Sequence, residues 1–209
     1  MLALGIAVLA LARPSEVAEF FPLDFGRTWV YNEAQGTVAG VTSVVGVEQD
    51  LLDKKLNPVG KGVPIVKKVG DDVVGCVFYR IVDDQVFVVA FDQNRPLASP
   101  YPIIKLGPGK TTWSYKGETQ WVGEMSPMAL EGSCKRGPAR EIQGNKYDTI
   151  EVTIDVVIGD PDGMCAKTHQ TSVYGRGVGL IELVDQSTFN KTKKENKRKL
   201  ISFAPGKGA

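Results

Sequence analysis

The strictest alternation of apolar and polar residues in the chain spans Thr149–Ile158. Isoleucine and valine occupy its even-numbered positions, and Glu151 and Asp155 are among the polar residues between them. A period of two predicts a β-strand with one face in the core and the other in water. The turn-forming residues Gly159–Gly163 follow directly and predict a long hairpin with Met164–Tyr174.

Other segments repeat this strand signature, and none sustains a helical period over more than a few turns. Only the short stretch Pro14–Phe21 is compatible with a single helical turn. The sequence therefore predicts an all-β protein of about ten to twelve strands, built as an antiparallel barrel, half-barrel or sandwich.

A short phrase that occurs twice indicates how the strands are grouped. Phe21–Tyr31 and Tyr101–Tyr115 each place a proline directly before an apolar residue, then a glycine turn, then a basic residue and threonine leading into Trp-x-Tyr. This repetition predicts a single β domain over residues 13–209, made of two similar halves at about 20–98 and 99–205.

Two segments lack a strand pattern. Leu51–Gly62 contains charged residues, proline and glycine, and we expect an exposed loop there. Asn190–Lys199 carries six basic residues, for which we expect a solvated hairpin tip. The alternative for the second segment is a surface that binds phosphate-rich polymers or lipid headgroups.

The N-terminal residues predict export. Leu2–Ala12 has no polar or charged side chain and ends in Ala10-Leu11-Ala12, a small-x-small pattern typical of signal-peptide cleavage. Eleven residues are too few to span a bilayer core of about 30 Å. Residues 1–12 are therefore predicted to be a signal peptide, and the mature protein to be periplasmic or extracellular without a stable membrane span. The alternative is a buried apolar strand or helix at a true N-terminus.

The charge balance restricts the possible partners. The chain has 25 basic and 24 acidic residues, so it has no strong net field to attract nucleic acid. We expect no nucleic-acid partner, a monomeric state, and a partner that is an apolar small molecule or an envelope component.

The chain has three cysteines, which are compatible with either a disulfide or a metal site. In an oxidising compartment we expect a disulfide between Cys134 and Cys165, which both lie near turn-rich segments, and a buried thiol at Cys76. Zinc sites usually contain close cysteine pairs, and these three cysteines with His169 show none. We therefore expect no metal and no cofactor.

Catalytic motifs are scarce. His169 is the single histidine, and no Gly-x-Ser-x-Gly motif occurs. Glu118 and Glu124 lie close in sequence to Trp113 and Trp121, an arrangement compatible with a glycan-acting hydrolase that uses paired carboxylates.

The aromatic residues of the repeated phrase are the best candidates for ligand binding. They could line the mouth of a barrel or half-barrel and receive an apolar or sugar ligand. Alternatively, the same side chains could close the core between the two halves. The candidate residues are Trp29, Tyr31, Trp113, Tyr115 and Trp121.

Two motifs of this chain resemble those of exported bacterial proteins of unknown function. The opening Phe21–Tyr31 is similar to their Pro-Leu-x-x-Gly-x-x-Trp-x-Tyr phrase, and Tyr174–Ile181 is similar to their Tyr-x-x-Gly-Val-Gly-Leu strand. That group distantly resembles the lipoprotein-carrier half-barrels. The resemblance implies a curved antiparallel sheet that cups an acyl chain, and it implies no catalytic residue.

These observations favour a non-enzymatic, extracytoplasmic β-protein that binds a lipid or another apolar molecule between its halves. A glycan hydrolase and a purely structural module are the alternatives. A hydrolase requires carboxylates that converge in a cleft, a binding protein requires an apolar cavity, and a structural module requires neither.

Overall fold

A computed structural model describes residues 15–33, 40–93, 95–121, 123–160, 164–189 and 192–207. The predicted signal peptide, residues 1–12, lies outside the described residues.

The described residues form one short helix and thirteen strands. The elements are α1 (Glu16–Phe20), β1 (Thr28–Glu33), β2 (Val41–Val45), β3 (Gln49–Leu52), β4 (Pro58–Val69), β5 (Asp72–Val82), β6 (Gln85–Ala90), β7 (Pro96–Lys105), β8 (Thr111–Trp121), β9 (Glu124–Ile142), β10 (Asn145–Gly159), β11 (Cys165–Gly175), β12 (Gly179–Phe189) and β13 (Thr192–Ala204).

Twelve of the strands follow one another in a single antiparallel sheet. Their order is β7-β6-β5-β4-β2-β1-β13-β12-β11-β10-β9-β8, and β3 pairs with β4 beside this path. The two end strands, β7 and β8, approach each other, so the sheet curls into a nearly closed barrel. The predicted all-β, antiparallel fold class is confirmed.

The sheet is continuous across the predicted boundary between the two halves. That boundary, at residues 98 and 99, lies inside β7. Strand β1 from the first half pairs with β13 from the second, with Trp29 opposite Phe203. The two halves therefore share one sheet, and their similarity stays a prediction from the repeated phrase.

The inner face of the sheet carries the main core. In β10, Ile150, Val152 and Ile154 are buried, while Asp155 on the other face is exposed. The alternation read from the sequence therefore places the aliphatic residues inside the barrel, as predicted.

A smaller core covers the outside of β4 to β6. Leu51 of β3 packs there with Phe78 and Val89. Gly62 of β4 allows this close packing, because a Cβ atom at that position would lie only 2.9 Å from a methyl group of Val89. The prediction of an exposed loop over Leu51–Gly62 holds for its exposed centre, residues 54–59, but the loop is shorter than predicted: its ends belong to β3 and β4, and residues 53–57 form the turn.

The polar segment near the C-terminus is also a strand. Strand β13 begins at Thr192 and pairs with β12 on one side and β1 on the other. Residues 192–199 pair with β12, and Arg198 and Lys199 also pair with β1, so backbone hydrogen bonds hold a segment that has few apolar side chains. Residues 192–195, 197 and 199 are exposed, as predicted, but residues 192–199 form a paired strand of the β12–β13 hairpin and not its tip.

The helix α1 closes one end of the barrel. Its residues Val17 and Phe20 are fully buried and belong to the main core, which includes Ile104 of β7 and Ile150 of β10. This helical turn, predicted within Pro14–Phe21, therefore packs against strands from both ends of the sheet.

Charged residues hold α1 in place. Arg176 pairs with Glu16 and Glu19, and Arg136 pairs with Glu16 at 2.7 Å. Both guanidinium groups also lie over the ring of Phe20, 5.2 Å from its centre for Arg136 and 4.8 Å for Arg176. Within the part of the chain that the structure describes, no helix has the length and apolar character required to cross a membrane.

Candidate ligand site

The interior of the barrel contains a cavity of about 290 Å³. Aromatic rings form one part of its wall, aliphatic side chains form another, and Gln170 and Arg198 are among its few polar residues. The aliphatic residues are Ile65, Val88, Ile103, Leu130, Ile154, Val156, Leu180 and Leu183. Apolar walls with a few polar groups are typical of small-molecule sites.

Two of the five predicted ligand-binding residues, Trp29 and Tyr31, line this cavity. Their side chains are 4% and 2% exposed. The indole Nε1 of Trp29 donates to the carbonyl oxygen of Val178 at 2.6 Å, and the hydroxyl of Tyr31 donates to that of Leu180 at 3.1 Å. These hydrogen bonds fix both rings against the turn and the first residues of β12.

Trp113 and Tyr115 lie instead at the seam between β7 and β8. The Nε1 of Trp113 donates to the carbonyl oxygen of Pro102 at 3.2 Å, and the hydroxyl of Tyr115 donates to that of Ser99 at 2.8 Å. The indole of Trp113 covers Gly132, where a Cβ atom would lie 2.1 Å from the ring. These two residues join the end strands of the sheet and are not among the residues that line the interior cavity, so their role as ligand contacts stays a prediction.

Trp121 lies near the end of the barrel that is opposite α1. Its ring contacts Phe189 edge-on, with 5.6 Å between the ring centres. It is not among the residues that line the interior cavity. The five predicted aromatic residues therefore lie in three separate regions of the barrel. Of these five, Trp29 and Tyr31 line the interior cavity.

The seam hydrogen bonds give a direct test of this closure. Tyr115→Phe removes only the hydroxyl group that donates to Ser99. We expect the free energy of unfolding to fall by about 1 kcal/mol, the usual net value of one hydrogen bond. Urea unfolding monitored by circular dichroism measures this change. The neighbouring outward-facing substitution Ser114→Ala is the control, and equal effects of the two substitutions would contradict a role for the hydroxyl at the seam.

Four tyrosines face the interior, and their environment affects their ionisation. Burial raises the pKa of Tyr101 and of Tyr174 to about 12. Burial also raises the pKa values of Tyr31 and Tyr79. These hydroxyls are therefore neutral hydrogen-bonding groups at physiological pH.

The polar part of the cavity wall comes from β11 and β13. Gln170 of β11 donates from Nε2 to the hydroxyl oxygen of Ser172 at 3.1 Å. The guanidinium of Arg198 lies over the ring of Tyr31, 5.5 Å from its centre. Gln170 is four residues along β11 from Tyr174, roughly 13 Å at 3.3 Å per residue, so this polar region lies away from the α1 end.

The sequence patterns did not reveal these polar residues. Arg198 lies within the basic segment interpreted as a hairpin tip. One signal that could have identified it is its spacing of two residues from Leu200, which packs against the core beside Trp29.

The predicted disulfide is not formed. All three cysteines are free thiols, and Cys134 is opposite Val152 of β10 whereas Cys165 is opposite Gly159. Seven positions along β10 correspond to roughly 23 Å, but the Cα atoms of a disulfide lie within about 7 Å. Burial raises the pKa of the Cys134 thiol to about 11, which makes it unreactive.

The two carboxylates that suggested a hydrolase do not meet inside the barrel. Glu118 of β8 and Glu124 of β9 are both exposed, and neither lines the interior cavity. Among the described residues there is no group of three or more histidine, cysteine, aspartate or glutamate residues placed to hold a metal ion.

A larger hollow of about 790 Å³ lies on the outer face of β9 to β13. The exposed residues Asp155 and His169, which form a pair with 2.7 Å between Oδ1 and Nδ1, lie in its wall. Its aromatic lining is limited to this imidazole, and most of its side chains are polar and solvated. We therefore consider the smaller interior cavity to be the candidate site.

No family model matches the sequence, and no curated protein matches it. The chain is similar to two solved structures. One is described as a "putative exported protein with YmcC-like fold" from Bacteroides fragilis, with a TM-score of 0.42 and 12% identity. The other is described as a "putative lipoprotein" from Parabacteroides distasonis, with a TM-score of 0.43 and 12% identity. Each similarity covers 88% of this chain and 98% of the other.

Proposed function

We propose that this protein is a non-enzymatic, extracytoplasmic binding protein that holds a small, largely apolar molecule inside its barrel. The observation that carries this proposal is the interior cavity of about 290 Å³ with its aromatic and aliphatic wall. Burying an apolar ligand there is favourable, because its surface leaves water. The proposal of an extracytoplasmic location rests on the apolar segment Leu2–Ala12.

The size of the cavity restricts the ligand. A volume of about 290 Å³ lies at the lower end of the range for small-molecule sites, about 300–1,000 Å³. This favours a short-chain amphiphile, whereas a long acyl chain would have to extend beyond the cavity.

The composition of the wall favours binding over hydrolysis. Glycoside hydrolysis requires two carboxyl groups that flank the reacting bond. Among the described residues that line the cavity, the charged one is Arg198, and none is a carboxylate. A purely structural module requires no cavity of this size, so the cavity also favours binding over that alternative.

Binding of 1-octanol tests the proposal. We expect octanol to shift the methyl NMR signals of Ile103 and Ile154, which line the cavity, in a saturable manner. Val156→Phe places a larger side chain in the same wall, and we expect it to weaken octanol binding about tenfold or more, because the ring occupies ligand space.

Val157→Phe is the matched control, because residue 157 is the next position of β10 and lies on the opposite face of the sheet. We expect this variant to bind octanol like the wild type. Octanol binding that is equally strong in both variants would place the binding elsewhere, and the absence of saturable shifts in the wild type would contradict the proposed function.

A further inference from the structure

We propose that the ligand of this cavity carries an uncharged oxygen atom, such as that of a ketone or an ester, that accepts a hydrogen bond from the hydroxyl group of Tyr79. This inference rests on the proposed binding function and names the chemical class of the ligand, a small neutral amphiphile with a hydrogen-bond acceptor. The apolar part of such a molecule would lie among the aromatic and aliphatic residues of the wall.

The hydrogen bonding of the four interior tyrosines is the first argument. Three of them are bound to protein groups: Tyr31 to the carbonyl oxygen of Leu180, Tyr101 to the side chain of Thr119, and Tyr174 to that of Ser172. The hydroxyl group of Tyr79 has no hydrogen-bond partner among the described residues. One phenolic donor of the interior therefore remains for a ligand.

The position of Tyr79 is the second argument. Its side chain lines the cavity, and its ring packs on that of Phe21 with 5.0 Å between the ring centres. Within the described ranges, the buried side-chain atoms without a hydrogen-bond partner are Nε of Arg176 and Oδ1 of Asp185. The hydroxyl oxygen of Tyr79 is not one of them, so it has accessible surface, and a ligand in the cavity can reach it.

The charge state of the wall is the third argument. Burial raises the pKa of Tyr79, so its hydroxyl group keeps its proton at neutral pH and can donate. Arg198 is the charged residue of the described wall, and it already interacts with the carboxylate of Asp185 and lies over the ring of Tyr31. A charged head group would lose its hydration without gaining a free counter-charge, whereas a neutral oxygen loses less and satisfies the Tyr79 donor. The wall therefore favours an uncharged acceptor.

Three probes with related skeletons test the inference: butyrophenone, butylbenzene and 4-phenylbutyrate. Butyrophenone has a carbonyl group where butylbenzene has a methylene group, and 4-phenylbutyrate has a carboxylate at the end of its chain. We expect butyrophenone to bind the wild type about tenfold or more tightly than 4-phenylbutyrate, because the carboxylate must leave water. Methyl NMR titration at neutral pH, followed at Ile103 and Ile154 in the cavity wall, measures the affinities.

Tyr79→Phe removes only the hydroxyl group. We expect it to weaken butyrophenone binding by about threefold to tenfold relative to its effect on butylbenzene binding, the change that corresponds to one neutral hydrogen bond. The comparison of the two ligands separates the loss of the hydrogen bond from any change in the shape of the wall. Tyr147→Phe is the matched control, because Tyr147 packs on Phe203 and is not among the residues that line the cavity. It should leave both affinities unchanged.

Urea unfolding without ligand gives a second measurement on the same variant. The Tyr79 hydroxyl group has no hydrogen-bond partner in the described part of the protein, so Tyr79→Phe should unfold at or above the urea concentration at which the wild type unfolds. A lower midpoint would show that this hydroxyl group is bound within the protein and would overturn the inference.

The outcomes separate the two proposals. Equal effects of Tyr79→Phe on butyrophenone and butylbenzene, or tighter binding of 4-phenylbutyrate than of butyrophenone, would overturn the neutral acceptor and leave the binding cavity in place. The absence of saturable binding for all three probes would overturn the proposed function itself.

Discussion

Raising the pH from about 10 to about 12 is expected to unfold the barrel, because four tyrosines in its interior must stay neutral while the protein is folded. Burial raises the pKa of Tyr101 and Tyr174 to about 12 and also raises the pKa values of Tyr31 and Tyr79. In an unfolded chain, tyrosine ionises near pH 10. Above that pH the unfolded chain releases protons that the folded barrel retains, so the free energy of unfolding falls as the pH rises.

The expected effect is large. Each such tyrosine contributes a slope of about 1.4 kcal/mol per pH unit between its unfolded and folded pKa values, and four together contribute about 5 kcal/mol per pH unit. A typical folded domain has about 5–15 kcal/mol of stability in total. Two pH units of this slope amount to about 10 kcal/mol, so we expect cooperative unfolding within about two pH units above the ordinary pKa of about 10.

Circular dichroism and tyrosinate absorbance at 295 nm, recorded together during an alkaline titration, measure this transition. We expect most of the absorbance to rise in the same step in which the β-sheet signal is lost. Tyr79→Phe should reduce the pH dependence of the free energy of unfolding by about a quarter. Complete ionisation near pH 10 with an intact β-sheet signal would contradict the interior placement of these tyrosines.

Regular alternation made part of this fold predictable from the sequence. The segment Thr149–Ile158 forms the strand that its pattern predicts, because one face packs in the core and the other meets water. Strand β13 follows a different rule. Its inner positions include Asn196 and Arg198, so a hydrophobic alternation is missing although the segment pairs with β12 and, from Arg198 onward, with β1.

The two copies of Trp-x-Tyr show a second limit of sequence analysis. Trp29 and Trp113 both donate from the indole to a backbone carbonyl oxygen, and so do the hydroxyls of Tyr31 and Tyr115. The local chemistry of the two copies is thus alike. Their places differ because β1 lies in the middle of the sheet and β8 at its end. Strand order depends on long-range pairing, which a short motif does not encode.

Long-range strand pairing also explains why the predicted disulfide between Cys134 and Cys165 does not form. Cys134 and Cys165 both lie close to turns in the sequence, but the register of β9 and β11 against β10 places them far apart along the barrel. The position of Arg198 in the candidate site also depends on register. Its neighbours in the wall come from strands that are distant in sequence.

Phe20→Ala is expected to lower the free energy of unfolding by about 3–5 kcal/mol, the usual cost of removing a buried phenylalanine side chain. The Phe20 ring is fully buried, and the guanidinium groups of Arg136 and Arg176 lie over it. Removing the ring leaves a cavity at the closed end of the barrel and takes away the surface on which both arginines rest. Urea unfolding with a linear extrapolation measures the change.

Phe25→Ala is the matched control, because Phe25 lies in the next turn of the chain and is 51% exposed. We expect that variant to change the free energy of unfolding by less than about 1 kcal/mol. Arg176→Met should retain much of the packing on Phe20 but lose the ion pairs with Glu16 and Glu19, and we expect a smaller loss than for Phe20→Ala. Equal losses for the two phenylalanine variants would show that α1 does not hold the end of the barrel closed, whereas a large loss for Phe20→Ala alone would assign that role to its buried face.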